Sequence, residues 1–127
     1  MKHLLISMLI LLLVPALCAC GSSAEEPAEK TYAIAEAGSW TDGTYTAQAD
    51  GYGGSFDVTV TISGGQIADI TAGDNNETPE YGGAAIETMI PAMIDAQTYD
   101  VDATSGATTT SDSLRDAVAR CLEQASK

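Results

Sequence analysis

The densest run of chemically useful residues is Asp102-Ala103-Thr104-Ser105-Gly106-Ala107-Thr108-Thr109-Thr110-Ser111. Gly106 and Ala107 let a backbone approach a ligand closely, hydroxyls crowd both sides of them, and an amphipathic helical pattern follows at once. A helix start presents unpaired N–H groups with positive polarity, so a phosphate suits it, and one threonine hydroxyl there could carry a phosphoester. The same run also suits a hydroxyl-rich capping loop. The pattern fits both readings equally.

Other chemistry is narrowed by inventory. Met1 to Ala19 reads as an export signal, with Lys2 and His3 at its positive end and Leu4 to Leu17 almost wholly apolar. Fourteen residues fall short of the roughly 20 that a membrane span needs; a short anchor helix is the alternative. Leu17-Cys18-Ala19-Cys20-Gly21 resembles the bacterial lipobox, which makes Cys20 the acylated residue, with Cys18 a poorer rival. Lipid on Cys20 would hold the chain on a membrane without a span.

Cleavage after Ala19 would remove His3 and Cys18 and leave only Cys20 and Cys121. No internal disulfide is then expected, no Ser-His-Asp or Cys-His site, and no usual zinc site. Redox chemistry would have to come from a bound cofactor. Five Lys+Arg against 18 Asp+Glu give a net charge of −13, which disfavours nucleic acid and anionic lipid and favours cationic partners.

The elements that must position the hydroxyl-rich run can be read from periodicity. Gly21 to Ser39 is rich in Ser, Ala, Glu and Pro and is expected to be a tether with a reach of roughly 25 Å. The domain is placed from Trp40 onward, residues 40–127. Thr44 to Ala49 is a first strand, and Ser55 to Ser63 alternates strictly, with Phe56, Val58, Val60 and Ile62 on one face. Gly64-Gly65 predicts a tight hairpin into a strand over Gln66 to Ala72. Gly73 to Gly83 is a loop. Ala84 to Ala96 carries a helical stripe, expected as two short helices or one kinked at Pro91. Ser111 to Ala125 is an amphipathic helix capped by Thr110 or Ser111, with Asp112 in its first turn and Cys121 a small core residue on its apolar face. The fold expected is α+β: a small twisted antiparallel sheet with helices packed on one face.

Asp-x-x-Ser-Gly-Ala-Thr followed by Thr-Thr-Ser resembles the flavinylation motif of the FMN-binding domain family, whose members include flavin-carrying subunits of sodium-pumping and ferredoxin-linked respiratory complexes and small extracytoplasmic lipoproteins. Asp42-Gly43-Thr44-Tyr45, Gly51-Tyr52-Gly53-Gly54, Gly64-Gly65 and Glu77-Thr78-Pro79 fall in the family's order, so the resemblance covers about Trp40 to Glu123.

The resemblance implies FMN held covalently through its phosphate on Thr108, within a loop formed by Ser105, Gly106, Ala107, Thr109 and Thr110. It implies attachment by a magnesium-dependent flavin transferase that draws on FAD and recognises Asp102. Thr78, Tyr81 and Gly82 are implied flavin neighbours. The sequence departs from the family where Glu80-Tyr81-Gly82 replaces glycine, an aliphatic residue and glycine. Glu80 would add negative charge there and lower the flavin potential; an exposed loop aromatic is the alternative for Tyr81.

Tyr52 fits either a ring stacked on the flavin or an ordinary strand-edge tyrosine. Asp74, Glu77 and Glu80 lack the spacing of a calcium loop, and Asp100 with Asp102 shows no sign of an acid–base pocket. The expected role is a membrane-anchored electron carrier at the outer face of the bacterial cytoplasmic membrane, taking electrons from a membrane donor to an extracytoplasmic acceptor or reductase. A flavin-free binding lipoprotein and an electron-delivering partner of a separate reductase are the alternatives.

Overall fold

A computed structural model describes residues 30–127. The export signal, Cys20 and the first part of the tether lie outside the described residues.

Three strands form one antiparallel sheet in the order β1 (Gly43–Gly51), β2 (Gly54–Ser63), β3 (Gln66–Ala72). The alternation of β2 sets the layering: Phe56, Val58, Val60 and Ile62 are buried on one face, together with Ala47 and Ala49 of β1. The other face carries Thr44, Thr46 and Asp57 in solvent. β1 and β2 join through the two-residue turn Tyr52-Gly53, with Gly51 paired to Gly54. β2 and β3 join through Gly64 and Gly65, both at positive φ (62° and 77°), as the left-handed type I′ turn requires. The register slips beside Thr61 and Ile62, so that Ile62 faces Ile67 and Thr61 faces Asp69. That bulge lets Ile67 and Ile70, three apart in sequence, both point into the core.

The two helices cover the apolar face. α1 (Ala84–Ala96) is one helix with Pro91 inside it, in place of the two short helices that were one of the two expectations. Its buried residues Ala85, Ile86, Met89 and Met93 straddle the proline, while Pro91 itself is exposed. Packing on both sides of Pro91 thus keeps the helix continuous, and the hydrogen bond that proline removes is lost on the solvent side. The helix ends at Gln97 in the left-handed region (φ 54°), and the Gln97 side-chain amide pairs with both Ile67 N (2.7 Å) and Ile67 O (3.0 Å). It thereby serves the open edge of β3 as a strand partner would.

α2 (Thr108–Ala125) lies across β1 and β2 and fully buries Leu114, Ala117, Val118, Cys121, Leu122 and Ala125. It starts three residues before the expected start at Ser111, and no side chain caps it. The Thr110 and Ser111 hydroxyls are committed to tertiary partners instead, and Asp112 falls beyond the first turn.

The stretch expected as tether is seated on this body from Lys30 onward. Lys30 Nζ meets Asp116 Oδ1 at 2.8 Å, the Tyr32 hydroxyl donates to the same carboxylate, and Ala35 N donates to Ser126 Oγ at 2.8 Å. Trp40 is buried with its indole N–H on Ala35 O (3.0 Å). Residues 30–39 thus make polar contacts with the body of the domain. Among the described residues no helix is long and apolar enough to cross a membrane.

Candidate functional site

The site begins with a turn. Ala107 N donates to Thr104 O at 3.1 Å, closing Thr104-Ser105-Gly106-Ala107, and Gly106 takes φ 82° at the position where this kind of turn needs a left-handed residue. Thr104 N donates to Ser111 Oγ at 3.1 Å, which pins the turn to α2. The first ordinary helical bond of α2 runs from Ser111 N to Ala107 O (2.9 Å). The N–H groups of Thr108, Thr109 and Thr110 precede it and have no intrahelical partner.

The residues that bear them line a cleft of about 350 Å³, together with Tyr52, Glu77, Thr78, Tyr81, Gly82, Gly106 and Ala107. Three segments far apart in sequence build it: the hairpin tip, the segment from Glu77 through a single π-type turn (Pro79–Gly83), and the start of α2. Thr78 O accepts the N–H groups of Tyr81 (3.0 Å) and Gly83 (2.9 Å), which shapes that turn. Tyr81 then lies against the motif: a Cβ placed on Gly106 would meet Tyr81 Cδ1 at 3.4 Å.

The three threonines differ. Thr110 is 1% exposed; its hydroxyl donates to Glu77 Oε2 at 2.6 Å and accepts Tyr52 N–H at 3.4 Å. It is fully engaged within the protein. Thr108 and Thr109 are exposed at the cleft, and neither hydroxyl has a hydrogen-bond partner among the described residues.

Glu77 organises the floor. The residue is 8% exposed, and its second oxygen accepts Gly53 N–H at 3.0 Å. Cβ atoms on Gly51 and Gly82 would each come within 2.0 Å of its carboxylate oxygens, so the side chain fits only because both are glycine. Sequence reasoning weighed Glu77 as a calcium ligand and as part of the Glu77-Thr78-Pro79 segment, and missed this role. The available signal was the spacing of glycines around the hairpin tip and the π-type turn. Among the described residues no three His, Cys, Asp or Glu side chains gather as a metal site.

Of the residues singled out from sequence, Gly106, Ala107, Thr108, Thr109, Thr110, Thr78, Tyr81 and Gly82 share this one cleft. Ser105 is exposed outside it, and so is Glu80. Asp102 is exposed in a neighbouring groove with Asp100, Thr88, Met89, Ala92, Ala96 and Val101. Cys121 is remote from the cleft and fully buried, its thiol directed at Tyr45 O (3.5 Å), and burial pushes its pKa up to about 11.

The geometry agrees with what the chain resembles. The family model of the FMN-binding domain matches residues 51–123. An uncharacterized protein of Treponema pallidum (strain Nichols) is 39% identical over 83 residues, which is 65% of this chain and 23% of that protein. The NADH:acrylate oxidoreductase of Vibrio harveyi is 34% identical over 86 residues, 68% of this chain and 9% of that protein. The chain thus spans less than a quarter of the length of these relatives. The crystal structure of the CPE2226 protein from Clostridium perfringens superposes with a TM-score of 0.54 at 24% identity, over 68% of this chain and 88% of that one, and shares the fold. A glycine-turned hydroxyl loop opening a helix into a shared cleft, matched over most of the domain, makes this chain a member of the FMN-binding domain family.

Proposed function

We propose that this protein carries FMN covalently on Thr108 and relays electrons outside the cytoplasm, anchored to its membrane through lipid on Cys20. The observation that carries the reading is the division of labour among the three threonines: Thr110 is buried and engaged, whereas Thr108 and Thr109 are exposed in the first turn of α2, and of these two the motif resemblance puts the ester on Thr108. In the attachment reaction the Thr108 hydroxyl would displace AMP from FAD in the active site of a magnesium-dependent flavin transferase, and its proton leaves with the departing group. Asp102, exposed in the adjoining groove, is accessible to such an enzyme.

The residues present fit the group. Unpaired N–H groups at the start of α2 suit a phosphate, Gly106 admits close approach, and Tyr52 and Tyr81 offer aromatic faces for a flat ring. A cleft of about 350 Å³ lies at the small end of the usual range for ligand sites, which leaves a ring edge open to solvent and to partners. When bound, the flavin supplies the redox chemistry. The protein's own task is to hold the phosphate end, orient the ring and leave one edge accessible. Covalent attachment answers the scarcity of free FMN outside the cytoplasm, where a dissociated cofactor would not return. Glu80, exposed beside the cleft, would bias the potential downward through solvent; Glu80→Gln is expected to raise it slightly.

The deciding experiment is intact mass with in-gel flavin fluorescence on the full chain co-expressed with a flavin transferase. A gain of one FMN less one water, lost in Thr108→Ala, supports the carrier. A gain that survives the substitution, or none, favours another site or a flavin-free binding lipoprotein. A second reading, delivery of electrons to a separate reductase, is favoured by the relative named as an NADH:acrylate oxidoreductase, in which this domain is 9% of the length.

A further inference from the structure

Tyr52 combines two properties that do not ordinarily coincide. Its side chain is 84% exposed, more than that of Tyr81, the other exposed large aromatic on the same cleft at 55%. Yet the backbone beneath it is tightly held. Gly53 N donates to Glu77 Oε1 at 3.0 Å and Tyr52 N to Thr110 Oγ1 at 3.4 Å. A Cβ on Gly51 would lie 2.0 Å from Glu77 Oε1, and one on Gly53 would lie 2.2 Å from Asn76 O. The hairpin tip is pressed against residues 76–77 with no room to shift.

A scattered surface tyrosine is ordinary and needs no explanation. This one is borne on a turn fixed from two sides, on the cleft that Thr108 also lines. Among the described residues its hydroxyl has no hydrogen-bond partner that would account for its placement. An aromatic face held still and left uncovered is preorganised for a flat partner, because the cost of ordering it is met on folding rather than on binding.

We propose that Tyr52 is a positioning residue for the flavin ring: with FMN esterified to Thr108, the isoalloxazine stacks on the Tyr52 face. Glu77 and Thr110 fix where that face lies. The inference rests on the carrier reading above and adds to it the residue that orients the ring. It also gives Glu77 a function: its carboxylate joins the hairpin tip to the first turn of α2, so the ring-bearing threonine and the ring-stacking tyrosine keep a constant separation.

The test uses the full chain co-expressed with a flavin transferase, as wild type, Tyr52→Leu and Tyr52→Trp, with intact mass, time-resolved flavin fluorescence and visible circular dichroism. A tyrosine in contact with an excited flavin quenches it by brief electron donation, and tryptophan does the same. Wild type and Tyr52→Trp are expected to show a dominant short lifetime and an induced dichroic band. In Tyr52→Leu the ratio of stacked to unstacked ring is expected to fall about five-fold, with the mass gain and thermal stability unchanged. Full flavin loading with wild-type lifetimes and dichroism in Tyr52→Leu would overturn the inference and leave the carrier reading standing. Absence of the mass gain in wild type would overturn both.

Discussion

The Thr110 hydroxyl donates to Glu77 Oε2 at 2.6 Å, joining the first turn of α2 to the segment that leads into the π-type turn. Since Glu77 also holds Gly53 N–H, one buried carboxylate sets the relative position of all three walls of the cleft.

Removing that hydroxyl tests the arrangement. Thr110→Val keeps the shape but leaves a buried carboxylate oxygen unpaired, which costs about 1–3 kcal/mol. A urea titration is expected to show a lower midpoint at an unchanged slope. Thr110→Ser, which retains the donor, should recover much of the loss. Both variants should still gain the mass of the flavin, because Thr108 is untouched; loss of attachment in Thr110→Ser would move the proposed site to Thr110.

The space around the carboxylate is equally specific. Gly82→Ala puts a methyl group within 2.0 Å of Glu77 Oε2, whereas a Cβ on the neighbouring Gly83 meets only Thr78 O at 3.3 Å. Gly82→Ala is therefore expected to cost about 2–3 kcal/mol and Gly83→Ala far less. In combination with Glu77→Ala the Gly82→Ala penalty should largely vanish, a non-additivity that a double-mutant cycle reads directly. Additive losses would mean that the clash is relieved elsewhere.

These relations mark the limit of what the sequence discloses. β2 was legible because one face is buried, and alternation of Phe56, Val58, Val60 and Ile62 has no other cause. The apolar face of α2 was legible for the same reason. Its start was not: Thr108 to Thr110 are β-branched hydroxyl residues that locally favour a cap, and only the distant Glu77 makes Thr110 a buried helical residue. Pro91 left the choice between two short helices and one open, and packing of Met89 and Met93 on either side of it decides for one. The seating of residues 30–39 left no periodic trace, because it depends on polar contacts with Asp116, Glu123 and Ser126 more than 80 residues away. The hydroxyl loop itself was readable, while its floor, made by Glu77 between Gly51 and Gly82, required three remote segments to be brought together.

The seated segment should respond to acid. Burial alone would raise the Asp116 carboxyl, but hydrogen bonds from Lys30 and Tyr32 and the charge of Arg120 outweigh it and leave the pKa below its ordinary 3.8. A depressed carboxyl pKa stabilises the fold above the unfolded value and ceases to do so as pH falls through the folded one. The tie should hold at neutral pH and release below about pH 3.8. Tyr32 packs edge-on to Tyr99 with centroids 5.5 Å apart, so near-ultraviolet dichroism reports its departure. Asp116→Asn should weaken the tie at pH 7 by about 1 kcal/mol, with faster hydrogen exchange at Ala35 N–H. Unchanged exchange would show that the remaining contacts suffice.

Alkaline pH should act on the buried face of the same helix, α2. Burial is the main cause that pushes the Cys121 thiol from 9.0 up to about 11, with the charge of Arg120 opposing it. The folded state thus keeps a proton that the unfolded chain releases, so this contribution is complete below pH 9.0 and is lost as pH rises through about 11. Melting temperature is expected to fall across that interval. The comparison is with Cys121→Ala, which should start lower by about 1 kcal/mol for the missing sulfur yet decline less steeply. Thiol-directed reagents should react with folded wild type only as fast as it opens. Parallel slopes for the two proteins, or rapid thiol labelling at neutral pH, would show that water reaches the underside of α2.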